Sequence, residues 1–302
     1  MKVTEQGFAQ NGETEIYYEV FDHRGFEPKG TVLFINGLGS QMINFRVDWL
    51  RKFAQAGFRC IRMDNRDVGL SSKTRGNPPA FALAMESLLC GDESAVKSAY
   101  ELTDMASDCL FVLDETVTER AHIWGASMGG MIAQTFAAIY PDRTETLTSV
   151  MSTTGNPFVG RPTSVALEAL SRNVVGETRK EITNELVNAS QLYSGDSFDS
   201  ISARMMIEEE YDRCYYPDGM AFQMAAIASS GDRTEMLKAI IAPTFVIHGG
   251  KDPLINWDGG EATVEAIPQS TFVLYEQMGH DLPIQLWDAY LKNFLDLVEG
   301  NT

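Results

Sequence analysis

The stretch Ala121-His-Ile-Trp-Gly-Ala-Ser-Met-Gly-Gly130 decides the fold. An apolar run leads into Ser127, which lies between Gly125 and Gly129, and a helix-forming run then extends to Ile139. This pattern predicts a strand, a sharp turn and a helix, with the serine at the turn. Glycine two residues before and after the serine suits such a turn, because side chains there would collide where the strand doubles back into the helix. The serine hydroxyl is then exposed at the positive end of a helix, where a nucleophile and its oxyanion are stabilised.

A serine nucleophile needs a histidine base, and the order of the chain selects one of the four histidines. In this strand–turn–helix arrangement the partners follow the serine, first an acid and then the histidine. His23 and His122 precede Ser127, so the order excludes them. His248 lies at the end of an apolar strand-like run and is interpreted as structural. His280 is the predicted base.

The predicted acid is Asp252, which follows the apolar run 244–248 and a glycine turn. His280 follows a second apolar run, 271–275. Both residues are therefore expected on loops at the carboxyl ends of strands, where open α/β sheets hold their ligands. An imidazole must take the proton of a neutral serine as it attacks, and an aspartate orients that imidazole. The alternative for Asp252 is a plain turn-forming role before Pro253.

An oxyanion needs two hydrogen-bond donors near the serine. One is the backbone N–H of Met128, directly after the nucleophile, and the other is expected from the loop after an earlier strand. The run 31–35 is such a strand, and Asn36-Gly-Leu-Gly39 follows it, so Leu38 is the predicted second donor. The two glycines also suggest a dinucleotide-binding loop, but Met42 stands where that fingerprint requires a third glycine.

With these motifs in place, the chain resembles the α/β-hydrolase fold family over nearly its whole length. The matching segments are Asn36-Gly-Leu-Gly39, Met63-Asp-Asn-Arg-Asp-Val-Gly-Leu-Ser71, Gly125-Ala-Ser-Met-Gly129, His248-Gly-Gly-Lys-Asp252 and Gly279-His280. Within the family, the Asp-x-Arg-Asp run is similar to that of bacterial carboxylesterases and polyketide methylesterases. The resemblance implies a mostly parallel eight-stranded sheet flanked by helices, a triad of Ser127, Asp252 and His280, and no cofactor. One departure is Asn36, where the family usually has a histidine that supports the oxyanion loop.

A helical insertion is predicted over the active site. Residues 1–156 and 233–302 form the predicted core domain, and residues 157–232, after the sixth strand, form a predicted helical cap. Eight methionine and aromatic side chains of the cap either pack it onto the core or line an apolar pocket: Met205, Met206, Tyr211, Tyr215, Tyr216, Met220, Phe222 and Met224. The sequence leaves these two roles open.

Local signals predict several further elements. Asn11-Gly12 indicates a hairpin between two strands near the start of the chain. The pattern predicts helices over residues 80–101, 103–116 and 234–241, and the acidic run 208–210 is expected to be the solvent-facing side of a cap helix.

Composition limits the possible partners. The 302 residues include 42 acidic and 24 basic side chains, for a net charge of −18. Such a surface repels nucleic acid and anionic membrane, so neither is an expected partner. No apolar run is long enough to span a bilayer, and no apolar leader stands at the start, so a cytoplasmic protein is expected. The four cysteines have no metal-type spacing and are expected to be free and mostly buried thiols.

The predicted function is that of a carboxylic ester hydrolase acting on a small-molecule ester. The same triad also serves acyltransferases or perhydrolases, and carbon–carbon bond hydrolases acting on diketones. A binding module without turnover is a third alternative, which the intact triad disfavours. The sequence does not distinguish a monomer from a homodimer.

Overall fold

One eight-stranded sheet organises the residues that the computed structural model describes, which are 2–22, 27–171 and 176–300. His23 and residues 172–175 of the predicted cap lie outside these ranges. The strands are β1 (Glu5–Asn11), β2 (Thr14–Phe21), β3 (Thr31–Ile35), β4 (Arg59–Met63), β5 (Ala121–Ala126), β6 (Thr144–Val150), β7 (Thr244–Gly249) and β8 (Ser270–Tyr275). Their order is β1-β2-β4-β3-β5-β6-β7-β8, and all pairs from β4 to β8 are parallel. The predicted fold class is confirmed.

The antiparallel edge of the sheet is the predicted hairpin. β1 and β2 pair from Glu5 opposite Val20 to Asn11 opposite Thr14, so Asn11-Gly12 lies at the turn. Gly12 has a φ of +61°, in the left-handed region that glycine adopts without a steric penalty.

Helices cover both faces of the sheet. They are α1 (Val47–Gln55), α2 (Phe81–Cys90), α3 (Leu102–Glu115), α4 (Met128–Ile139), α5 (Ser164–Ser171), α6 (Arg179–Tyr193), α7 (Ser200–Arg213), α8 (Asp218–Ser230), α9 (Thr234–Leu237), α10 (Asp258–Ala266) and α11 (Trp287–Val298). On one face α3 and α4 pack against the side of the sheet that presents Leu33 and Ile123. On the other, α1 and α11 enclose Phe34 and Trp124. Because both faces are covered, every residue of β3, β5 and β7 is buried.

Two predicted helices are shorter in the structure. The helix expected over 80–101 ends at Cys90, because Gly91 adopts a left-handed φ of +70° and its N–H bonds to the carbonyl of Leu88. The next long helix, α3, starts at Leu102. The helix expected over 234–241 ends at Leu237, a few residues before Pro243 leads the chain into β7. The hydrophobic pattern alone did not locate these two ends.

The chain between β6 and β7 contains α5, α6, α7 and α8, in the region predicted as a cap. Within it, α7 is anchored to the loops after β3 and β4. Arg213 Nη2 lies 2.7 Å from a carboxylate oxygen of Asp64, which is fully buried. The division of the chain into core and cap stays a prediction.

The acidic run 208–210 corrects an expectation of the sequence. Glu208 and Glu209 lie on the outer part of α7, but Glu210 turns toward the loop after β3. Its carboxylate accepts hydrogen bonds from Gln41 N at 2.8 Å and Asn44 Nδ2 at 2.6 Å. Burial raises the pKa of Glu210 to about 7, although these two hydrogen bonds act in the opposite direction. The run is therefore not simply a solvated helix face.

The raised pKa of Glu210 makes stability depend on pH. Because the folded pKa exceeds the unfolded value of about 4.3, the contribution of this carboxyl is complete below that value and is lost as the pH rises through about 7. Glu210→Gln keeps the acceptor oxygen without the charge. We expect it to raise the free energy of unfolding at pH 8 by about 1–3 kcal/mol and to change it little at pH 4.

Urea unfolding at both pH values measures this effect, with Glu209→Gln as the matched control on the exposed side of the same helix. Equal stability of the two variants at pH 8 would show that Glu210 carries no such cost.

The cysteines are free, as expected, but only half of them are buried. Cys60 and Cys109 are buried, Cys214 is half-buried and Cys90 is exposed. Within the described ranges, none of the helices has the length and apolar character to cross a membrane.

Candidate active site

The turn that carries Ser127 connects the buried strand β5 to α4. Ser127 has a φ of +57° and a ψ of −121°, a backbone conformation that residues with a side chain rarely adopt. Its N–H donates to the carbonyl of Val150 at 2.8 Å, and its own carbonyl accepts from Ser152 Oγ at 2.9 Å. The end of β6 and the loop that follows it thus hold the turn in its strained conformation.

Only glycine fits on either side of this turn. A Cβ atom on Gly125 would lie 2.1 Å from the carbonyl oxygen of Gly129, and one on Gly129 would lie 2.0 Å from the carbonyl oxygen of Ile35. Both contacts involve backbone atoms, which cannot move aside as a side chain can. The glycine spacing therefore reflects close packing of α4 against β3 and β5.

The three predicted triad residues come together at the carboxyl edge of the sheet. Asp252 lies on the loop after β7, and His280 lies on the loop after β8. Ser127 Oγ is 2.9 Å from His280 Nε2, and His280 Nδ1 is 2.7 Å from Asp252 Oδ2. This is the geometry in which the imidazole takes the serine proton on one side while the carboxylate fixes its tautomer on the other.

Asp252 is held as a carboxylate in a buried position. Burial by itself raises its pKa, but the charge of His280 and hydrogen bonds from His248 and His280 outweigh that effect and keep the pKa at about 2. Oδ1 also accepts the N–H groups of Leu254 and Ile255, both at 2.9 Å. The group that orients His280 is therefore charged over the whole range in which proteins usually work.

The other described histidines lie apart from Ser127. His248 is fully buried at the end of β7, with Nε2 2.9 Å from the carbonyl of Ile255 and 3.4 Å from Asp252 Oδ2. It contacts the triad through the aspartate, in agreement with a structural role. His122 bonds to Thr146 Oγ1 at 2.9 Å, and burial, with the charge of Arg120, lowers its pKa to about 4.

Leu38 and Met128 lie beside the serine, where the sequence placed the oxyanion donors. Both line the cleft that contains Ser127, and Gly37 approaches so closely that a Cβ there would lie 3.1 Å from Ser127 Cβ. Neither backbone N–H donates a hydrogen bond to another group of the described residues. Their role in oxyanion binding stays a prediction.

Two side chains that the sequence did not single out support this loop. Asn65 Nδ2 donates to the carbonyl of Asn36 at 2.9 Å. Gln223, fully buried on α8, accepts the N–H of Gly39 at 2.8 Å and donates to the carbonyl of Arg66 at 2.7 Å. Asn36 occupies the position where the family usually has histidine, and its Nδ2 has no partner within the described part of the chain. Support for the loop comes from Asn65 and Gln223.

The end of α6 contacts the loop of the predicted base. His280 N–H donates to the carbonyl of Tyr193 at 2.6 Å. The carboxylate of Asp281 accepts the N–H of Gly279 at 3.1 Å and that of Gly195 at 3.4 Å. Packing is close, because a Cβ on Gly195 would lie 2.2 Å from the carbonyl oxygen of Gln277. The segment after α6 thus fixes the position of His280 as well as covering it.

A mostly apolar cleft opens in front of Ser127. Its interior volume is about 100 Å³, and the space up to and including its open mouth is about 730 Å³. Met85, Met131, Met224 and Leu254 are among its walls, and its polar lining consists of Ser127, Thr153, Asn156 and Arg161. Such a cleft suits the hydrocarbon part of a small substrate.

Of the eight methionine and aromatic side chains singled out in the predicted cap, Met224 lines this cleft. Phe222 is buried in the core, Met205 is largely exposed, and Tyr211 and Tyr215 stack on each other with ring centroids 4.7 Å apart. Packing therefore accounts for more of this group than substrate contact does. The walls of the cleft come mainly from α2, α4 and the segment after β6, which the residue types did not indicate.

Comparison with known proteins agrees with this architecture. The sequence profile of the α/β-hydrolase fold matches residues 30–285. The chain belongs to the α/β-hydrolase family. Its matched region includes Ser127, Asp252 and His280, and the chain is thereby a hydrolase by family.

Relatives of this hydrolase carry the names of hydrolases of different substrates. It is 29% identical over 265 residues to a 2-hydroxy-6-oxononadienedioate/2-hydroxy-6-oxononatrienedioate hydrolase of Paraburkholderia phymatum, covering 83% of this chain and 81% of the relative. It is 25% identical over 207 residues to the putative carbamate hydrolase RutD of Pseudomonas savastanoi pv. phaseolicola, covering 67% and 77%. Among solved structures, the enol-lactonase from Burkholderia xenovorans LB400 superposes with a TM-score of 0.72 at 22% identity, covering 97% and 100%. At that identity the structural likeness shows the fold alone.

Proposed function

We propose that this hydrolase cleaves carboxylic esters of small molecules through an acyl-enzyme on Ser127. The observation that carries the proposal is the continuous hydrogen-bonded series from Ser127 Oγ through His280 to Asp252, at the wall of an apolar cleft. The series provides one nucleophile and one acid–base group, which is what ester hydrolysis requires.

In the proposed reaction, Ser127 Oγ attacks the ester carbonyl carbon while its proton passes to His280 Nε2. The carbonyl oxygen becomes an oxyanion, which accepts hydrogen bonds from the N–H groups of Leu38 and Met128. The bond to the leaving alcohol then breaks, and His280 returns the proton to that alcohol. Water attacks the acyl-enzyme with His280 again as base, releasing the acid and restoring Ser127.

Carbon–carbon bond hydrolysis is the second candidate, because the relative from Paraburkholderia phymatum carries the name of a hydrolase of 6-oxo-dienedioates. The two reactions differ in the group that leaves. Ester cleavage releases an alkoxide, whereas cleavage between carbons releases a carbanion equivalent, and His280 is the acid–base group of the triad that would protonate either one. Both reactions are therefore compared in one substrate panel.

A substrate panel tests the proposal. The purified protein is given p-nitrophenyl esters from acetyl to long acyl chains, and separately a 2-hydroxy-6-oxo-dienoate whose cleavage is followed by absorbance. We expect kcat/KM for the best ester to exceed that for the diketone by at least about 100-fold, corresponding to roughly 2.7 kcal/mol of transition-state binding. The reverse order would assign carbon–carbon hydrolysis.

Addition of competing alcohols and hydrogen peroxide to the ester assay measures acyl transfer. Hydrolysis is the expected main route, and a predominance of transfer product would assign an acyltransferase or perhydrolase. If no substrate of either class reacts, the proposed function is wrong.

A further inference from the structure

Arg161 is the charged side chain among the described residues that line the cleft containing Ser127. It lies on the segment between β6 and α5, in the run Pro157-Phe-Val-Gly-Arg-Pro162. The side chain is exposed, at a position where a group entering the cleft from solvent would meet it. The triad does not use it.

Some N–H donors of the Arg161 guanidinium form no hydrogen bond within the described residues. Nη1 donates to the carbonyl of Pro157 at 3.0 Å and, at the limit of a hydrogen bond, to that of Leu89 at 3.5 Å. Within the described residues no carboxylate forms an ion pair with it, and Nε and Nη2 make no hydrogen bond there.

Nine of the thirteen arginines that the structure describes form an ion pair with a carboxylate, among them Arg62 with Glu19, Arg66 with Asp108 and Arg179 with Asp212. Arg161 is one of the four that do not, and of these four it is the one that lines the cleft. Its guanidinium is therefore available to a carboxylate from outside the protein.

The segment that carries Arg161 is anchored on both sides of that residue. Gly160 N–H donates to Asp258 Oδ1 at 2.7 Å, and Thr163 N–H donates to the carbonyl of Pro253 at 2.8 Å. Pro253 directly follows Asp252, so the segment is tied to the loop that carries the predicted acid. The backbone on both sides of Arg161 is thereby anchored to the loop after β7 and to the start of α10.

The charge of the whole protein makes a local cation necessary for any anionic substrate. A net charge of −18 repels anions at long range, so their binding depends on a specific cationic group at the site. Arginine suits a carboxylate because its planar fork donates two parallel hydrogen bonds.

We propose that Arg161 binds a carboxylate of the substrate, so that the preferred substrates are esters with a free carboxylate at the end away from the reacting carbonyl. Monoesters of dicarboxylic acids are the simplest members of this class. The apolar walls contact the carbon chain between the two ends, and Arg161 determines specificity without touching the reacting atoms. This inference rests on the proposed esterase activity.

Paired substrates test the inference. Monomethyl esters of dicarboxylic acids with four to ten carbons are compared with methyl esters of monocarboxylic acids of the same length, for the wild type, Arg161→Gln and Arg161→Lys. In Arg161→Gln we expect kcat/KM for the charged esters to fall about 10- to 100-fold through KM, while the neutral esters change less than about threefold. Arg161→Lys should recover part of the loss, because lysine keeps the charge but not the fork.

Arg75→Gln is the matched control, since Arg75 is also exposed but does not line the cleft. It should leave the ratio of charged to neutral kcat/KM unchanged. A similar loss for both ester classes in Arg161→Gln, or no loss, would overturn the assignment of Arg161 while the esterase activity stands.

A binding measurement separates this inference from the proposed function. Titration calorimetry with adipate and suberate is carried out on Ser127→Ala and on Ser127→Ala combined with Arg161→Gln. Binding that weakens at least about tenfold in the double variant supports the carboxylate site even if the wild type hydrolyses no ester. Equal binding, or none to Ser127→Ala, overturns it.

Discussion

Ser127→Ala is expected to lower kcat for the best ester by roughly 10⁴- to 10⁶-fold, with KM changed only a few-fold. The loss in kcat is large because alanine has no hydroxyl to attack the carbonyl. No acyl-enzyme forms, and His280 has no serine proton to take up and pass on. The predicted donors at Leu38 and Met128 remain, so activity about 10³- to 10⁴-fold above the uncatalysed rate should persist. Steady-state kinetics on wild type and variant from the same preparation measure the loss.

Two controls make this result specific to the nucleophile. Ser164→Ala changes an exposed serine at the start of α5 and should leave kcat within a factor of about two. The circular dichroism spectrum of Ser127→Ala should match that of the wild type. Its melting temperature should be equal or slightly higher, because the substitution removes only a hydroxyl group. Loss of only about tenfold in kcat would mean that Ser127 is not the nucleophile.

Much of the site was predictable because its signals are local. Ser127 was found from two flanking glycines, and the structure gives the reason, since a Cβ on Gly129 would overlap the carbonyl of Ile35. Asp252 and His280 are predicted because each lies on the short loop after a run of strand-forming residues. The few residues around a side chain predict whether it lies at the end of a strand. Parallel strands then bring the residues at their carboxyl ends to the same edge of the sheet.

The missed features depend on contacts between distant parts of the chain. Gln223 supports the predicted oxyanion loop by bonding to Gly39 and Arg66, which are 184 and 157 residues away in sequence. Glu210 looked like a solvated residue because its neighbours are acidic, yet it bonds to Gln41 N. A buried glutamine or an inward-facing glutamate has no sequence signature of its own, because the partner that makes its burial favourable lies elsewhere in the chain.

The helix ends were missed for a different reason. The residues after Cys90 have helix-compatible composition, and Gly91 alone changes the direction of the chain by taking a left-handed φ. An isolated glycine in a helical pattern is compatible both with continuation and with a C-cap, and tertiary packing decides between them. Here α2 packs against α8, and the short helix leaves room for the following segment to reach α3.

Asp252→Asn is expected to lower kcat by about 10³- to 10⁴-fold. A neutral amide does not stabilise the imidazolium that forms when His280 takes the proton of Ser127. The amide NH₂ can also donate to His280 Nδ1, which leaves the ring proton on Nε2, where it cannot accept from Ser127 Oγ. The effect falls on kcat because the charge on His280 develops only as the serine attacks.

The Asp252→Asn substitution should also change the free energy of unfolding and its dependence on pH. With a folded pKa of about 2 against an unfolded value near 3.9, Asp252 contributes stability that is present above about pH 4 and is lost as the pH falls toward 2. Asp252→Asn should therefore unfold at lower urea concentration than the wild type at pH 7, and the difference should narrow on acidification. Urea unfolding at pH 7 and pH 3, with ester kinetics at pH 7, measures both effects.

Asp281→Asn is the matched control, because Asp281 follows His280 directly and its carboxylate bonds to backbone N–H groups of Gly279 and Gly195, with no bond to the imidazole. It disturbs the same loop without removing the charge that faces His280 Nδ1. We expect a loss in kcat of less than about tenfold. A loss as large as that of Asp252→Asn would show that the position of the loop, rather than the charge of Asp252, limits the reaction. A loss of less than tenfold in Asp252→Asn itself would exclude Asp252 as the acid of the triad.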